Sequence, residues 1–412
     1  MRKKLVDLAI RGLTLGGKFV LIFAIARGIG PSDVGFYGLY TSTISIALYI
    51  VGLDFYTYST RDILKHNAEG SYIWNVIYNQ GIFFLASYLV VLVLWEKLFS
   101  LAGIHSLITL GFFILIAEHL SQEIFRILVV IGKISESNIQ LFIRSGLWCY
   151  ICAVGVWFKL LSIDSVLMCW LLFATLAIAY GFFVLNRYEK LSLSYMKFNY
   201  DWIFRGVKVC IVFFVGTIFL RSVGYFDKVF ARSVATLSEI GIYVFFIGIG
   251  SAVQSAIDLM VISRRYPELI RTIQMNEIDK SKVAFGSFKR DILFQGGGLY
   301  IISIPLCYIV SLSTGRSDYT DAFLWYVLIV ISNVILNVSM PYHYVLYAKH
   351  KDKILVLANV FMLIIFCILC FLFIKFFSQI GMVGILISLL LSNSITTVLK
   401  IVLKKTYGET KL

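Results

Sequence analysis

The chain has 412 residues, of which 59% are hydrophobic, 16% aromatic and only 15% charged, with a mean hydropathy of +0.87. A soluble domain carries about 25% charged residues, so this composition excludes a soluble globular protein and points to a membrane protein. The net charge of +14 is explained by where the cations fall between apolar runs, and it requires no nucleic-acid partner.

A helix crosses the hydrocarbon core in about 20 residues. Twelve apolar runs near that length are predicted at 7–27, 36–58, 73–95, 106–131, 138–158, 165–185, 206–230, 241–263, 291–313, 322–347, 354–374 and 381–402. They are continuously apolar rather than alternating, which favours helices over a barrel. The first run follows Met1-Arg2-Lys3-Lys4, but it carries Arg11 and Lys18 and lacks a small-residue cleavage site. It reads as a spanning helix, not a cleavable leader. Its Gly12-x-x-x-Gly16 pattern is a close-packing motif. Gly30-Pro31-Ser32-Asp33 makes the turn into span two, with Ser32 or Asp33 as the expected N-cap.

On span four, His119, Glu123 and Arg126 follow i, i+4, i+7 spacing and can pair along one face. Span five carries a stripe of Gln140, Arg144 and Trp148, and Arg144 has no acid within a turn. Asn186 to Arg205 mixes aromatic and basic residues, which suits a segment on the inner membrane surface. Arg264 to Arg290 reads as a helical extension of span eight beyond Pro267. Span ten holds Asn333, Asn337 and Pro341, explained by interhelical hydrogen bonds and a proline kink, though sugar hydroxyls would also find partners there. All seven cysteines lie in apolar segments. Cys149-x-x-Cys152 and Cys367-x-x-Cys370 have no supporting His or second pair, so they read as small apolar residues, and no metal or cofactor is expected.

The chain repeats itself. Phe23 to Leu39, FAIARGIGPSDVGFYGL, is echoed by Val229 to Phe245, VFARSVATLSEIGIYVF, at offsets of 205 and then 206 residues. Asp54 stands seven residues before Arg61, and Asp258 stands seven before Arg265. Two echoes in order at matching offsets imply an internal duplication. Lys and Arg then orient the spans: 25 fall on the side of the N-terminus and five on the other. Both termini are therefore expected in the cytoplasm. The expected fold is an all-α polytopic membrane protein of 12 transmembrane helices in two parallel six-helix lobes around a central cleft. Residues 1–185 form the first lobe, 186–205 a cytoplasmic linker and 206–412 the second lobe.

Seven cations remain inside the spans: Arg11, Lys18, Arg27, Arg126, Arg144, Arg221 and Lys228. Five acids join them: Asp54, Glu118, Glu123, Asp227 and Asp258. A charge at the middle of a helix costs about 2.5–3.5 kcal/mol on insertion scales, so such groups face protein or water. Arg11 and Lys18 lie two turns apart on one face, and Arg221 and Lys228 repeat that spacing on span seven. An anion between the lobes would meet cations from both; the alternative is that each cation snorkels or pairs within its own lobe. Lys18, Arg144 and Arg221 are the leading candidates to bind an anionic substrate, joined by Lys228 and Arg126. Asp54, Arg61, Asp258 and Arg265 are candidates for a cytoplasmic latch that pairs across lobes, with Asp227 a further gate or coupling residue. The alternative is that the arginines set orientation and the aspartates bond within their own lobes.

The run GLTLGGKFVLIFAIARGIGPSDVGFYGLY, then GLDFYTYSTRDIL, resembles the opening of Wzx-type O-antigen and capsular polysaccharide flippases. These belong to the multidrug/oligosaccharidyl-lipid/polysaccharide exporter (MOP) superfamily. FDKVFARSVATLSEIGIY, Phe226 to Tyr243, is similar to the seventh-span region of that family. The resemblance implies alternating access that moves an undecaprenyl-pyrophosphate-linked oligosaccharide from the cytoplasmic to the outer leaflet of a bacterial inner membrane. It further implies membrane lipids, a polysaccharide polymerase and chain-length proteins as partners. Flippases for peptidoglycan or teichuronic precursors, and multidrug exporters of the same superfamily, are the alternatives. An enzyme is not expected, because the five histidines are scattered and no outer loop exceeds about a dozen residues.

Overall fold

The computed structural model of the protein describes residues 2–66, 70–191 and 193–408. Among these, the regular structure is helical throughout. Contacts divide the chain into two compact units, Met1–Ile218 and Phe219–Leu412.

The first unit opens with α1 (Arg2–Gly28), α2 (Pro31–Gly52), the short α3 (Tyr56–Lys65), α4 (Gly70–Leu101) and α5 (Ile108–Val130). Next come α6 (Ile134–Phe142) and α7 (Trp148–Trp157), one rod joined through the π-helical turn Ile143–Leu147. The unit continues through α8 (Ile163–Tyr188) into α9 (Tyr200–Ala231). α1 packs on the α6–α7 rod, and α5 on α8. Gly17 explains the first contact, because a Cβ there would stand 3.0 Å from the carbonyl oxygen of Gly146 in the π turn.

The second unit starts within α9 and contains α10 (Leu237–Ile257) and α11 (Ser263–Gln274), joined through a second π turn, Asp258–Ile262. Pro267 lies inside α11, which carries the rod on to Gln274. A third π turn, Ile292–Gly296, joins α12 (Ile278–Asp291) to α13 (Gly297–Ser313). The short α14 (Ser317–Asp321), α15 (Phe323–Val338), α16 (Met340–Ala348), α17 (Asp352–Phe376) and α18 (Met382–Gly408) complete the chain. α15 and α16 are one span interrupted at Ser339, with Pro341 opening the second piece, because proline cannot supply the N–H that a continuous ladder needs.

Among the described residues, eleven helical segments are long and apolar enough to cross a membrane, one fewer than the twelve expected. The other long helix is α5, 23 residues that include Glu118, His119, Glu123 and Arg126. Both sequence echoes map to structure. Phe23–Leu39 and Val229–Phe245 each hold a helix end, a turn and the next helix start, α1 to α2 and α9 to α10. Asp33 and Glu239, matched in the echo, are both the third residue of their helix. Glu239 closes a capping box with Thr236. In the first unit the expected cap at Ser32 or Asp33 is corrected: Gly30 occupies the N-cap without a side-chain bond, and Pro31 opens the helix. Proline fits there because that first N–H has no helical partner to lose.

The second echo marks an interruption in both units. The predicted span 36–58 is not continuous, because Leu53 and Asp54 turn left-handed at φ 45° and 51° and end α2. Asp258 instead opens a π turn, and the rod continues. The expected linker also differs. The boundary between units falls inside α9, because the start of that helix belongs to the first unit. Trp202 packs against Phe55 and Tyr58 with ring centroids 5.4 and 5.3 Å apart, and its Nε1 donates to Asp62 Oδ2 at 2.8 Å. The segment before it is tied to α4. Asn79 Nδ2 donates to the Lys197 carbonyl at 2.9 Å, the Asn199 N–H donates to Asn79 Oδ1 at 2.7 Å, and Trp74 Nε1 donates to the Glu189 carbonyl at 3.0 Å. Tyr188, Tyr195, Phe198 and Tyr200 remain exposed.

Candidate functional site

In the first unit, polar side chains from α4, α5, the α6–α7 rod and α8 converge in an otherwise apolar interior. Glu118, His119, Glu123 and Arg144 are all buried. Arg144, on the π turn, points Nε to Glu118 Oε1 at 3.4 Å. Trp170 of α8 donates Nε1–H to the other oxygen of Glu118 at 3.1 Å and stacks on Trp148 with centroids 5.9 Å apart. The second carboxylate, Glu123, accepts from Gln80 of α4 at 2.5 Å and pairs with Arg126. The guanidinium of Arg126 also lies 3.7 Å from the centre of the Tyr56 ring. His119 Nδ1 meets the Tyr88 hydroxyl at 2.8 Å, while its Nε2 stands 3.8 Å from Glu123. Glu118, Glu123, Arg126 and Arg144 thus form two neutral pairs, the only economical way to keep full charges in a low-dielectric interior.

The second unit repeats the device once. Asp227 and Lys228 are buried neighbours, with Lys228 Nζ 3.2 Å from Asp227 Oδ1. The Tyr243 hydroxyl of α10 donates to Asp227 Oδ2 at 2.7 Å, and Lys228 Nζ donates to the Gly224 carbonyl at 2.8 Å. Farther along α10, Gln254 donates to Asp258 at 2.9 Å and accepts from Asn337 at 2.7 Å and Tyr300 at 2.9 Å.

The sequence-predicted residues therefore fall into two groups. Arg126, Arg144 and Lys228 each have a carboxylate in their own unit, so their charge is spent internally. Arg144 has an acid after all, on the neighbouring helix, where spacing along one helix could not reveal it. Lys18 and Arg221 are exposed, on α1 and α9, and Lys18 makes no hydrogen bond or ion pair among the described residues. Of the other embedded cations, Arg11 donates to Asn138 Oδ1 at 2.9 Å, and Arg27 lies 4.5 Å from the centre of the Trp157 ring.

For the latch residues, Arg265 donates to Asp291 Oδ2 through Nε and Nη2 at 2.7 and 2.6 Å. Both residues belong to the second unit. Asp258 is bonded to Gln254 of the same unit. Asp54 is buried, and Arg61 is exposed with its guanidinium 5.6 Å from the centre of the Phe213 ring. Sequence reasoning missed Tyr88, Trp170, Gln80, Tyr243 and Asp291, because each partner lies on another helix. Lys400 is buried in α18. Among the described residues no group of three or more His, Cys, Asp or Glu is placed to hold a metal ion.

No protein-family model matches the chain, and no curated protein matches it in sequence. Solved structures do. An inward-facing multidrug resistance MATE family transporter of the MOP superfamily aligns with TM-score 0.76 at 11% identity, over 98% of this chain and 100% of that one. The chain has the fold of MOP-superfamily transporters. An outward-facing transporter of the same description aligns with TM-score 0.53 at 11% identity, over 98% and 93%. A MOP superfamily transporter from Pyrococcus furiosus, whose binding pocket of reverse polarity suggests a different function, aligns with TM-score 0.51 at 13% identity, over 98% and 93%. That fold accounts for the all-α architecture.

Proposed function

We propose that the protein is a flippase that moves polyprenyl-pyrophosphate-linked oligosaccharides across a bacterial inner membrane by alternating access, and not an enzyme. In this reading twelve spans form two parallel six-helix lobes around a central cleft, with both termini cytoplasmic. The observation that carries the reading is the division of the embedded charges. Three carboxylates, Glu118, Glu123 and Asp227, are each paired with a cation of their own unit. Lys18 and Arg221, by contrast, are exposed, at similar positions on helices that the duplication makes equivalent. They offer positive charge to a pyrophosphate, and a guanidinium adds forked hydrogen bonds to phosphate oxygens.

A multidrug exporter that takes cations would need acids available to its cargo, and here three of five are already engaged. One solved structure of this fold is described as having a binding pocket of reverse polarity that suggests a different function. A flippase for a peptidoglycan or teichuronic precursor would differ only in the glycan.

Deleting the gene in its host is expected to abolish surface polysaccharide and to leave lipid-linked oligosaccharide on the inner leaflet. Lys18→Ala and Arg221→Ala should reproduce that loss at normal membrane levels, and Lys18→Arg should retain more function than Lys18→Gln. Normal surface polysaccharide in the deletion strain, or in both Ala variants, would overturn the proposal.

A further inference from the structure

Three rods of the second unit are interrupted at one level. The π turns Asp258–Ile262 and Ile292–Gly296 pack against each other, and the second also packs against α15. The third interruption is at Ser339, where Pro341 has no N–H to return to the Asn337 carbonyl. The Ser339 N–H bonds to Leu336, and the Ile335 carbonyl accepts instead from the Thr397 hydroxyl of α18 at 3.1 Å. A single side chain ties the three rods together beside these interruptions. Gln254 of α10 donates to Asp258 Oδ1 at 2.9 Å and to Asn337 Oδ1 at 3.1 Å. It accepts from Asn337 Nδ2 at 2.7 Å and from the Tyr300 hydroxyl at 2.9 Å. Both amide N–H groups and both lone pairs of its oxygen are therefore used. Asp258 opens the first π turn, Tyr300 lies one turn past the second, and Asn337 stands just before Ser339.

Beyond the interruptions, α11, α12 and α16 hold one another. The Arg265 guanidinium of α11 donates twice to Asp291 Oδ2 at the end of α12. Tyr344 of α16 stacks on Tyr266 of α11 with centroids 4.9 Å apart, and it meets Phe288 of α12 at 6.0 Å. Phe285 of α12 meets Tyr342 of α16 at 5.3 Å, and Leu269 and Phe288 are fully buried. Helices joined in this way move together, and π turns, prolines and glycines are where rods bend. The residues after the second π turn point the same way. Gly297 and Gly298 lie inside a helix, yet a Cβ at either would meet nothing within 4 Å. Packing does not demand glycine there, and what glycine adds is backbone freedom at the expense of helix stability.

We propose that α11, α12 and α16 form one body that tilts about a hinge plane through residues 258–262, 292–298 and 339, with Gln254 as its pivot. α18 passes the same level unbroken and packs on both α15 and α16, so the body shears along it as it tilts. This motion lies inside the second unit, and it does not depend on what the protein transports.

The test is hydrogen–deuterium exchange on the purified full-length protein, read by mass spectrometry for peptides covering residues 255–264, 289–300 and 335–343. All three should exchange faster than the helices on either side of them. Gly297→Ala/Gly298→Ala should slow all three by about ten-fold, the order expected when two helical glycines become alanine, without lowering the unfolding midpoint. Gly286→Ala, an equally open position inside α12, should slow exchange in α12 alone. Gln254→Leu should speed all three. The alanine pair fills open space, so it tests the hinge even where Gln254→Leu does not fold. A response confined to the 289–300 peptide would make the turns independent of one another and overturn the proposal. So would unchanged exchange in all three, or the same three-segment slowing in Gly286→Ala.

Discussion

Arg144 shows how a residue is given its role by a neighbour that its own helix does not supply. Its guanidinium and Glu118 are both buried, and the carboxylate is fixed from the other side by Trp170. Removing one partner of such a pair leaves an uncompensated charge, which costs about 3–5 kcal/mol, whereas replacing both with neutral groups of similar volume is far less damaging. Arg144→Ala should therefore destabilise the purified protein strongly and lower its membrane level. Arg144→Met with Glu118→Gln should recover most of the loss, because glutamine can still accept the Trp170 N–H. Thermal unfolding of the three proteins decides the point: a double variant no more stable than Arg144→Ala would mean that the pair is not what holds these helices. The seven-residue spacing of Arg11 and Lys18, and of Arg221 and Lys228, was legible in the sequence. So was the pairing of Arg126 with Glu123 along one face of α5, but the partner of Arg144 was not, because a carboxylate on another helix has no fixed offset in the chain. Lys228 pairs with its chain neighbour Asp227, while Lys18 makes no hydrogen bond or ion pair among the described residues.

At the scale of elements, hydropathy located the rods but not their interruptions. Leu53 and Asp54 sit in an apolar run that reads as continuous helix, yet both are left-handed, and they separate α2 from α3. The π turns at Ile143–Leu147 and Asp258–Ile262 were equally silent. Each holds a charged residue singled out from the sequence, Arg144 and Asp258, and such turns recur at functional sites. The start of α9 was read as the end of a linker on the lipid surface. It packs instead against α3, and Gly206 is what allows the approach. A Cβ at that position would stand 2.6 Å from two ring carbons of Phe55 and 2.8 Å from Tyr58. Gly206→Ala should cost about 1–3 kcal/mol, the usual range for overpacking, seen as a lower midpoint of thermal unfolding. An unchanged midpoint would mean that α9 and α3 are not in contact in the membrane. The latch idea also changes at this scale. Arg265 is satisfied by Asp291 on α12 and Asp258 by Gln254 on α10, which is the within-lobe alternative for that half of the motif.

For the whole molecule, composition and apolar run length were enough to expect an all-α membrane-spanning fold, and an all-α transporter structure aligns with it at TM-score 0.76 and 11% identity. That much was legible because bilayer thickness and backbone hydrogen bonding leave few solutions. The cargo was not, because it depends on which charged groups the folded helices bury and which they expose. The account stands on the claim that Lys18 and Arg221 serve a pyrophosphate. It is tested most directly in proteoliposomes holding a labelled undecaprenyl-pyrophosphate oligosaccharide, with its appearance at the outer surface timed by an added glycosidase. The wild-type protein should expose the glycan well above the rate of protein-free vesicles, and Lys18→Ala/Arg221→Ala should fall to near that background while remaining folded. Equal rates for the two proteins, or equal movement of a glycan on an uncharged polyprenyl carrier, would contradict the account.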